Sequence, residues 1–563
     1  MNRFLAKSRF LMLILSLPLL LGASTKMNFD ISGVQGRLLT NIQARLTELA
    51  QTKPLAQETD VELRLEIEKA MQPYGYFRPQ INLNRAAQRI SINPGPRMLV
   101  TSLNIHLKGE GAENAELKKA LSELPLRPGK PLNSAKYEKA KQNLLSAAER
   151  QGYVHANFEK SEIIIDIASY TAKISLLLDT GPQYYFGQVQ FDPTYISPDL
   201  LHRFVPFQYG QPYSADKILT LNAQLANSGY FRSVSVKPQT NSSSRYIPVD
   251  VHLHRASRIN YSLGAGYGTD TGVRGRAGLH IVPVNRAGDK FNLVALGSFN
   301  QSALQAQYLI PGKNPVTDQY NINANLSALN YNVGYSNAVL VAFAQQHTVP
   351  KFQRILSING LYENYHYTNK PREEKKTIFP KGTFTWLTNR DKLFNPTGYS
   401  LTVNGLGATR AFLSDENFAQ ASINAKAAVN LRSIGTRFYF HTIQGVTLIN
   451  RIDQLPLSLA LLLGGAENLK GYNYNSIGPG KYLTYGGLEI QKETIKNWYL
   501  VGFFDSGDVY RPNPKFTKYD LGIGLMWVSP VGPIKIGIAQ GINNRFGRED
   551  RSPKFFVNMG PDL

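Results

Sequence analysis

The side chains that most often carry catalysis do not form a recognisable set in this sequence. The chain has no cysteine and nine histidines, and it contains neither a His-Glu-x-x-His nor a Gly-x-Ser-x-Gly motif. His252 and His254 fall on one face of a predicted strand, where solvation is the expected role. Without thiols, Cys-ligated metal is excluded. We therefore expect a protein that is not an enzyme and holds no cofactor or metal.

The N-terminus has the order of features found in secretory signal peptides. Basic residues come first, an apolar run over residues 10–21 follows, and small residues end it. That run is shorter than the ~20 residues that a membrane-spanning helix needs. Residues 1–24 are therefore predicted to be a cleaved signal peptide rather than an anchor. The flanking residues are Arg3, Lys7, Arg9, Gly22, Ala23 and Ser24.

The chain is strongly basic, with 62 Lys and Arg against 40 Asp and Glu and a formal net charge of +22. Such a charge favours an anionic partner. Nucleic acid is the usual partner of a basic chain, but an exported protein meets lipid phosphates instead. We therefore expect contact with membrane lipids and none with nucleic acid.

A Gly-Tyr pair recurs three times at an interval of 77 residues, beginning at Gly75, Gly152 and Gly229. Each copy follows a helical pattern and precedes a strand pattern, so each glycine is predicted just past a helix C-terminus in the left-handed conformation. Self-similarity at a fixed period indicates repeated modules. We predict three α+β modules over residues 27–96, 97–182 and 183–256.

One helix in each module carries an apolar face ahead of its glycine. Thr59 and Glu62 form a predicted capping box at the start of the first helix. The apolar positions are Leu63, Ile67, Ala70 and Met71 in the first module, Tyr137, Ala140, Leu144, Leu145 and Ala148 in the second, and Ile218, Leu221 and Leu225 in the third.

From Arg258 onward the pattern changes to strict alternation of apolar with polar or glycine residues. A transmembrane β-strand requires such alternation, although a soluble β-sandwich alternates too. Residues 258–563 are long for one sandwich, and at ~10 residues per strand they suit an antiparallel transmembrane barrel of roughly 16 strands. Clear examples are Ile259, Tyr261, Leu263, Ala265 and Tyr267 near the start, then Ile534, Ile536 and Ile538, and finally Phe555, Val557 and Met559.

Two parts of the chain resemble a known family. The three modules resemble polypeptide-transport-associated (POTRA) domains, and residues 464–472, continuing to 478–479, resemble the long sixth extracellular loop of the outer-membrane assembly-factor superfamily that includes BamA and TamA. The family pattern in this loop is hydrophobic-Arg-Gly-aromatic. Here it is Leu469, Lys470, Gly471 and Tyr472. Lysine offers a point charge in place of the planar, bidentate arginine.

The resemblance implies partners for that lysine. In the family the loop folds back into the barrel lumen, and its cation meets carboxylates on neighbouring strands. Glu489 stands where the family's strand glutamate lies, while Phe503, Asp505 and Gly507 match its Phe-x-Asp-x-Gly strand motif. A buried cation needs such carboxylates because its desolvation is otherwise costly.

Three modules before the barrel resemble the TamA branch of the superfamily. The resemblance implies an outer-membrane protein with its modules in the periplasm. It also implies an insertase that helps autotransporters and other β-barrel proteins to fold into the outer membrane. The implied partners are a TamB-like inner-membrane-anchored protein, unfolded outer-membrane protein clients and outer-membrane lipids.

In the family mechanism the barrel opens at a weak lateral seam between its first and last strands. Glycines in the first strand are consistent with weak closure. Two alternative functions stay open, a secretion pore of the two-partner type and participation in lipid transport between the membranes. The predicted seam residues are Ile259, Tyr261, Gly264, Gly266 and Gly268 in the first strand and Phe555, Phe556, Val557 and Met559 in the last.

Overall fold

The computed structural model describes residues 29–240, 244–268, 272–388, 393–511, 517–530, 532–542 and 552–559. The predicted signal peptide lies outside the described residues. The chain divides into two compact units. One runs to Gly187 and includes Tyr209–Asp216 and Thr240–Ile247, and the other comprises Gln188–Gln208, Lys217–Gln239 and the chain from Pro248.

The N-terminal half contains three small sheets, each accompanied by two helices. The strands are β1 Asp30–Ser32, β2 Gln80–Asn84, β3 Arg89–Asn93, β4 Leu99–Lys108, β5 Asn157–Asp166, β6 Thr171–Asp179, β7 Tyr185–Phe191, β8 Phe231–Pro238 and β9 Tyr246–Arg255. The helices are α1 Gly36–Thr52, α2 Asp60–Met71, α3 Ala115–Ser122, α4 Ser134–Arg150, α5 Pro198–His202 and α6 Ala215–Asn227.

The three sheets share one strand order. They run β1–β3–β2, β4–β6–β5 and β7–β9–β8, and in the first two the central strand pairs parallel with one neighbour and antiparallel with the other. Helices cover these sheets and bury apolar side chains such as Leu63 and Leu144. The prediction of three tandem α+β modules is confirmed.

All three repeated glycines have positive φ, and the first two lie where consecutive modules meet. Gly75 and Gly152 both have φ +90°, and Gly229 has φ +79°, which confirms the predicted left-handed conformation. A Cβ on Gly75 would lie 2.7 Å from the Leu132 carbonyl oxygen, and one on Gly152 would lie 2.8 Å from that of Tyr184. Gly75 and Gly152 therefore serve two purposes, ending a helix and letting the backbone of the next module approach.

Helices were predicted less completely than strands. The Thr59–Glu62 capping box is present, with both reciprocal hydrogen bonds. Each module, however, has a second helix that the sequence analysis did not identify. The longest of these, α1, begins at Gly36, and its N-cap residue Gln35 makes no side-chain capping hydrogen bond, so the usual start signal is absent.

The third module is fastened to two turns that connect strands of the C-terminal sheet. The Tyr230 hydroxyl donates to the Gly288 carbonyl oxygen over 2.6 Å, and Lys290 Nζ donates to the Ser228 carbonyl oxygen over 2.7 Å. Arg203 Nη1 donates to the carbonyl oxygen of Gly312 over 2.6 Å. The third Gly-Tyr pair therefore lies against the sheet that follows it.

Within the described residues, the C-terminal half forms one sixteen-stranded sheet in which sequence neighbours pair antiparallel. Its first and last strands approach each other to within 8 Å between Cα atoms, so the sheet curls into a barrel, and the predicted strand number is confirmed. The strands are β10 Ile259–Gly268, β11 Gly272–Ile281, β12 Lys290–Ser298, β13 Gln301–Pro311, β14 Asp318–Tyr331, β15 Gly334–Val349, β16 Phe352–Tyr367, β17 Glu373–Leu387, β18 Gly398–Ala408, β19 Phe418–Leu431, β20 Thr436–Ile449, β21 Tyr482–Ile495, β22 Trp498–Tyr510, β23 Lys518–Ser529, β24 Gly532–Ile542 and β25 Lys554–Met559.

The outward face of the barrel is apolar, with aromatic pairs near strand ends. Phe352 and Trp386 lie 5.4 Å apart between ring centroids, and Trp498 and Trp527 lie 5.7 Å apart. Aromatic girdles of this kind mark the membrane interfaces of β-barrels. Among the described residues, the helices are all too short or too polar to cross a membrane.

We expect Gly152→Ala to destabilise the second module more than Gly181→Ala does. Both positions have positive φ, but a Cβ on Gly181 has no atom within 4 Å. Gly181→Ala should cost about 1 kcal/mol of backbone strain, whereas Gly152→Ala adds overpacking for a total of about 2–4 kcal/mol. Hydrogen exchange of α4 in the full-length protein measures the difference. Equal loss of protection in the two variants would contradict the view that Gly152 lets the backbone of the next module approach.

Candidate functional site: a charged cluster between a lumenal loop and the barrel wall

The long loop between β20 and β21 folds against the inner wall of the barrel. Its tip is a tight turn in which Asn468 Oδ1 accepts hydrogen bonds from the N–H groups of Gly464 and Leu469 over 2.7 and 2.8 Å. Gly464 has φ +112°, a conformation that favours glycine. The turn directs Leu469 and Lys470 into buried positions.

Lys470 is surrounded by groups that suit a cation. Its Nζ lies 2.8 Å from Asp505 Oδ2 and 3.4 Å from Glu489 Oε1, and its side chain is only 5% exposed. The ammonium also stands 4.5 Å from the centre of the Phe503 ring, a favourable cation–π distance. The structure therefore brings together the loop lysine and both carboxylates that the sequence analysis named.

Glu489 on β21 bridges two lysines. Its Oε2 is 2.8 Å from Lys535 Nζ on β24, and the same oxygen accepts a hydrogen bond from Gln491 Nε2 over 2.7 Å. Asp505 on β22 accepts a further hydrogen bond from the Tyr485 hydroxyl over 2.8 Å. These extra donors matter because a buried ion pair is stabilising only when its remaining lone pairs are also satisfied.

A third carboxyl group completes the cluster. Asp520 on β23 stands directly opposite Asp505 in the strand register, and its Oδ2 accepts the Gly471 N–H over 2.7 Å. Its Oδ1 is buried and makes no hydrogen bond with any part of the chain that the structure describes. Two lysines thus face three carboxyl groups in the lumen.

Gly471 and Tyr472 attach the loop to the last strands of the barrel. A Cβ on Gly471 would lie 2.6 Å from the Gly541 nitrogen, so only glycine fits between the loop and β24. The Tyr472 hydroxyl lies 3.2 Å from the Tyr519 carbonyl oxygen and 3.0 Å from that of Ile542. This motif therefore contacts both β23 and β24.

The remaining residues of the strand motif pack on either side of the cluster. Phe503 meets Phe556 of β25 edge to face, with 5.4 Å between ring centroids, so it links the cluster to the last strand. A Cβ on Gly507 would lie 2.9 Å from the Thr484 carbonyl oxygen.

Two hydrogen bonds connect the loop to β25. Lys554 Nζ donates to Asn473 Oδ1 over 2.6 Å, and Asn558 Nδ2 donates to the Ala466 carbonyl oxygen over 3.4 Å.

The predicted seam residues lie on the first and last strands of the ordered sheet. On β10, Ile259 and Tyr261 point outward, and Tyr261 is 78% exposed. Gly264, Gly266 and Gly268 alternate with these outward positions on the lumenal row. On β25, Phe555 and Met559 are exposed, and Phe556 is buried in the lumen. Val557 is half-buried.

Lys535 and Asp520 are members of the cluster that the sequence analysis missed. Lys535 had a local signal, because it is the one charged residue among the apolar and glycine residues of β24. Asp520 had none. Its place in the cluster follows from the register that sets it opposite Asp505, and a register between strands is not visible in a single segment of sequence.

We expect Lys470→Ala to lower the heat resistance of the folded barrel, because it leaves Asp505 buried without its cation. Breaking a buried pair from one side costs about 3–5 kcal/mol. Lys470→Arg keeps the charge and should retain most of the resistance. The measurement is the temperature at which the compact band of the unboiled protein disappears in SDS gels.

Lys426→Ala is the matched control for that variant. Lys426 lines the same lumenal cavity but forms no ion pair with the described residues. Its loss should therefore shift the temperature at which the compact band disappears by only a few degrees. Equal transitions for Lys470→Ala and Lys426→Ala would contradict the view that the cluster holds the loop.

Comparison with known proteins identifies the same division of the chain. An Omp85 superfamily domain matches residues 287–562. A POTRA domain described as TamA domain 1 matches residues 28–94, and a further POTRA family, described as a surface antigen variable number repeat, matches residues 103–177 and 184–254.

One solved structure shares the fold over most of the chain. A crystal structure of BamA from Haemophilus ducreyi lacking POTRA domains 1–3 aligns with a TM-score of 0.68 at 15% identity, covering 82% of this chain and 99% of that one. CdiB from Acinetobacter baumannii aligns with a TM-score of 0.47 at 12% identity, covering 94% of this chain and 100% of that one.

The family matches support a general role in outer-membrane protein assembly or secretion. They also confirm the predicted location, with the barrel in the outer membrane and the modules in the periplasm. The chain therefore combines a C-terminal Omp85 superfamily domain with three POTRA modules, the first of which is of the TamA type.

Proposed function

We propose that this protein inserts other β-barrel proteins, including autotransporters, into the outer membrane by pairing their strands with an edge at the β10–β25 seam. A TamB-like partner docks on the periplasmic modules. The work is done by exchange of hydrogen bonds and apolar contacts, without making or breaking a covalent bond.

The observation that carries this proposal is the position of the two edge strands. The ordered sheet begins at β10 and ends at β25, and both strands approach each other within the same barrel. A strand edge in lipid is costly because its N–H and C=O groups lack water as an alternative partner. A client strand that pairs with such an edge removes this cost, which gives insertion a driving force.

Strand lengths support opening at the same place. The strands β14–β17 have 14–16 residues, whereas β10 has 10 and the part of β25 that the structure describes has 6. A short strand pair contributes few hydrogen bonds, so separating it costs less than separating the long central pairs. The charged cluster joins the loop to β21, β22, β23 and β24. Opening at the seam would therefore have to change only the contacts that the loop makes with β25.

An exposed strand edge in the second module supports docking of the TamB-like partner. The outer edges of its sheet are β4 and β5. Near its start, β4 hydrogen-bonds with Gly129 and Lys130, which leaves β5 as the more accessible edge. It is ten residues long, and Ile164 on it is 58% exposed. An extended segment of a β-rich partner can add to such an edge.

We expect the purified protein in liposomes to accelerate the folding of an unfolded outer-membrane β-barrel client. Bridging the seam should remove the acceleration, because the edges can no longer separate. The bridge is a short thiol crosslinker between Leu263→Cys on β10 and Val557→Cys on β25, in a chain that has no cysteine of its own. Client folding is followed by the gel shift of the folded barrel.

The matched control bridges two strands in the middle of the sheet. Val339 and Tyr362 are register partners, so the pair Val339→Cys with Tyr362→Cys should leave client folding fast. Unchanged client folding with open ion conductance would overturn the insertase in favour of a secretion pore. Transfer of labelled lipid without client folding would overturn it in favour of lipid transport.

We expect Ile164→Asp to weaken binding of the β-rich domain of the TamB-like partner by about tenfold, since it replaces an apolar contact at the docking edge with a charge. Val61→Asp is the control, because Val61 is an exposed apolar residue on α2, away from that edge. Binding is measured with the full-length protein in detergent micelles. Equal affinities for both variants would exclude β5 as the docking edge.

A further inference from the structure

We propose that Arg274 and Arg276 select client strands that carry carboxylate side chains at alternate, lumen-facing positions. This inference rests on the proposed function, since it requires that a client strand pairs with β10. It adds a preference for carboxylate side chains to that pairing and assigns the preference to Arg274 and Arg276.

The two arginines lie beside glycines of the edge strand. Arg276 stands opposite Gly264 in the register, and Arg274 stands opposite Gly266. A Cβ on Gly266 would lie 3.2 Å from Arg274 Nε and 3.6 Å from its Cγ. The arginine side chain therefore lies across β10 in the space that a larger residue would occupy.

The strands around the seam form an electropositive region. The segments β10–β13, β24 and β25 contain five Lys and Arg residues and no Asp or Glu. Three of these cations have partners, namely Lys290 with the Ser228 carbonyl, Lys535 with Glu489, and Lys554 with Asn473. Arg274 and Arg276 are exposed, and within the described ranges neither forms an ion pair.

The geometry fits an added strand. Neighbouring strands lie about 4.8 Å apart, so a client strand on the outer edge of β10 would be about 10 Å from β11. A long side chain that crosses a glycine can span that gap, and a guanidinium matches a carboxylate through paired hydrogen bonds. Arg274 and Arg276 are two residues apart, as are consecutive lumen-facing residues of any strand.

A protein carboxylate fits the lumenal row of Arg274 and Arg276 better than a lipid headgroup does. The outward face of β10 is the one that meets lipid, and it carries Tyr261 and Leu263, which are 78% and 87% exposed. The arginines belong to the opposite, lumenal row. A group bound there must come from a chain that is already paired with the edge strand.

The test uses two synthetic peptides with the full-length protein in detergent micelles. Both peptides alternate apolar and polar residues, and one has Glu where the other has Gln at two alternate polar positions. A single cysteine in each peptide and Leu263→Cys on β10 report strand pairing as a disulfide crosslink. At low salt we expect the Glu peptide to crosslink at a concentration about threefold to tenfold lower, the effect of two exposed ion pairs.

Variants identify the residues responsible. The preference for Glu should disappear in the double variant Arg274→Gln with Arg276→Gln, and it should weaken in 1 M salt because exposed pairs are screened. It should persist in the control Arg432→Gln with Lys496→Gln, which removes two exposed positive charges from other turns of the barrel. The peptide comparison on the protein with native arginines does not depend on the folding of the arginine variants.

The outcomes separate this inference from the proposed function. Equal crosslinking of both peptides would overturn the selection by arginine while leaving strand addition intact. Absence of crosslinking with either peptide would overturn strand addition at β10 and the inference with it. Loss of binding to phosphatidylglycerol vesicles in the double variant, with equal crosslinking of both peptides, would instead assign the row to lipid headgroups.

Discussion

The burial of Lys470 is the constraint on which the barrel interior depends. An ammonium removed from water is tolerated only where carboxylates and further hydrogen bonds compensate it, and here Asp505 and Glu489 provide that compensation. Because Glu489 also binds Lys535, the cluster extends from the loop across β21, β22, β23 and β24. Gly471 adds a steric condition, since its close approach to Gly541 leaves no room for a side chain. The loop therefore has one position in which the charge of Lys470 is compensated and Gly471 fits against Gly541.

The edges of the sheet are built differently from its centre. Long strands with many register partners form the middle of the barrel, while the described part of β25 pairs with β24 over six positions. The loop cluster compensates for part of this weakness, because Phe503 packs on Phe556 and loop residues contact Lys554 and Asn558. The last strand is thus held partly by side chains from the lumen, and such contacts can change without unfolding the rest of the sheet. The proposed lateral opening would require such a division of stability.

The three Gly-Tyr pairs show how one local signal takes different tertiary roles. In the first two modules the glycine brings the next module close to its own backbone, and Tyr153 is buried in the core of the second module. In the third, Tyr230 donates to a barrel turn. The left-handed glycine was predictable from its place after a helix. Its role as a joint was not, because the approaching carbonyl belongs to a residue more than 30 positions away.

Sequence alone determined the features that depend on local periodicity: the module repeat, the capping box at Thr59, and the alternation that indicates a barrel of about 16 strands. Family motifs added Lys470, Glu489 and Asp505. Only the tertiary structure added Asp520 and Lys535 to that cluster and laid Arg274 across Gly266. The second helix of each module also had to await the structure, since α1 begins without a capping side chain. The physical reason is that alternation decides which face a residue occupies, whereas the register between strands and the path of a long loop decide which residues meet on that face.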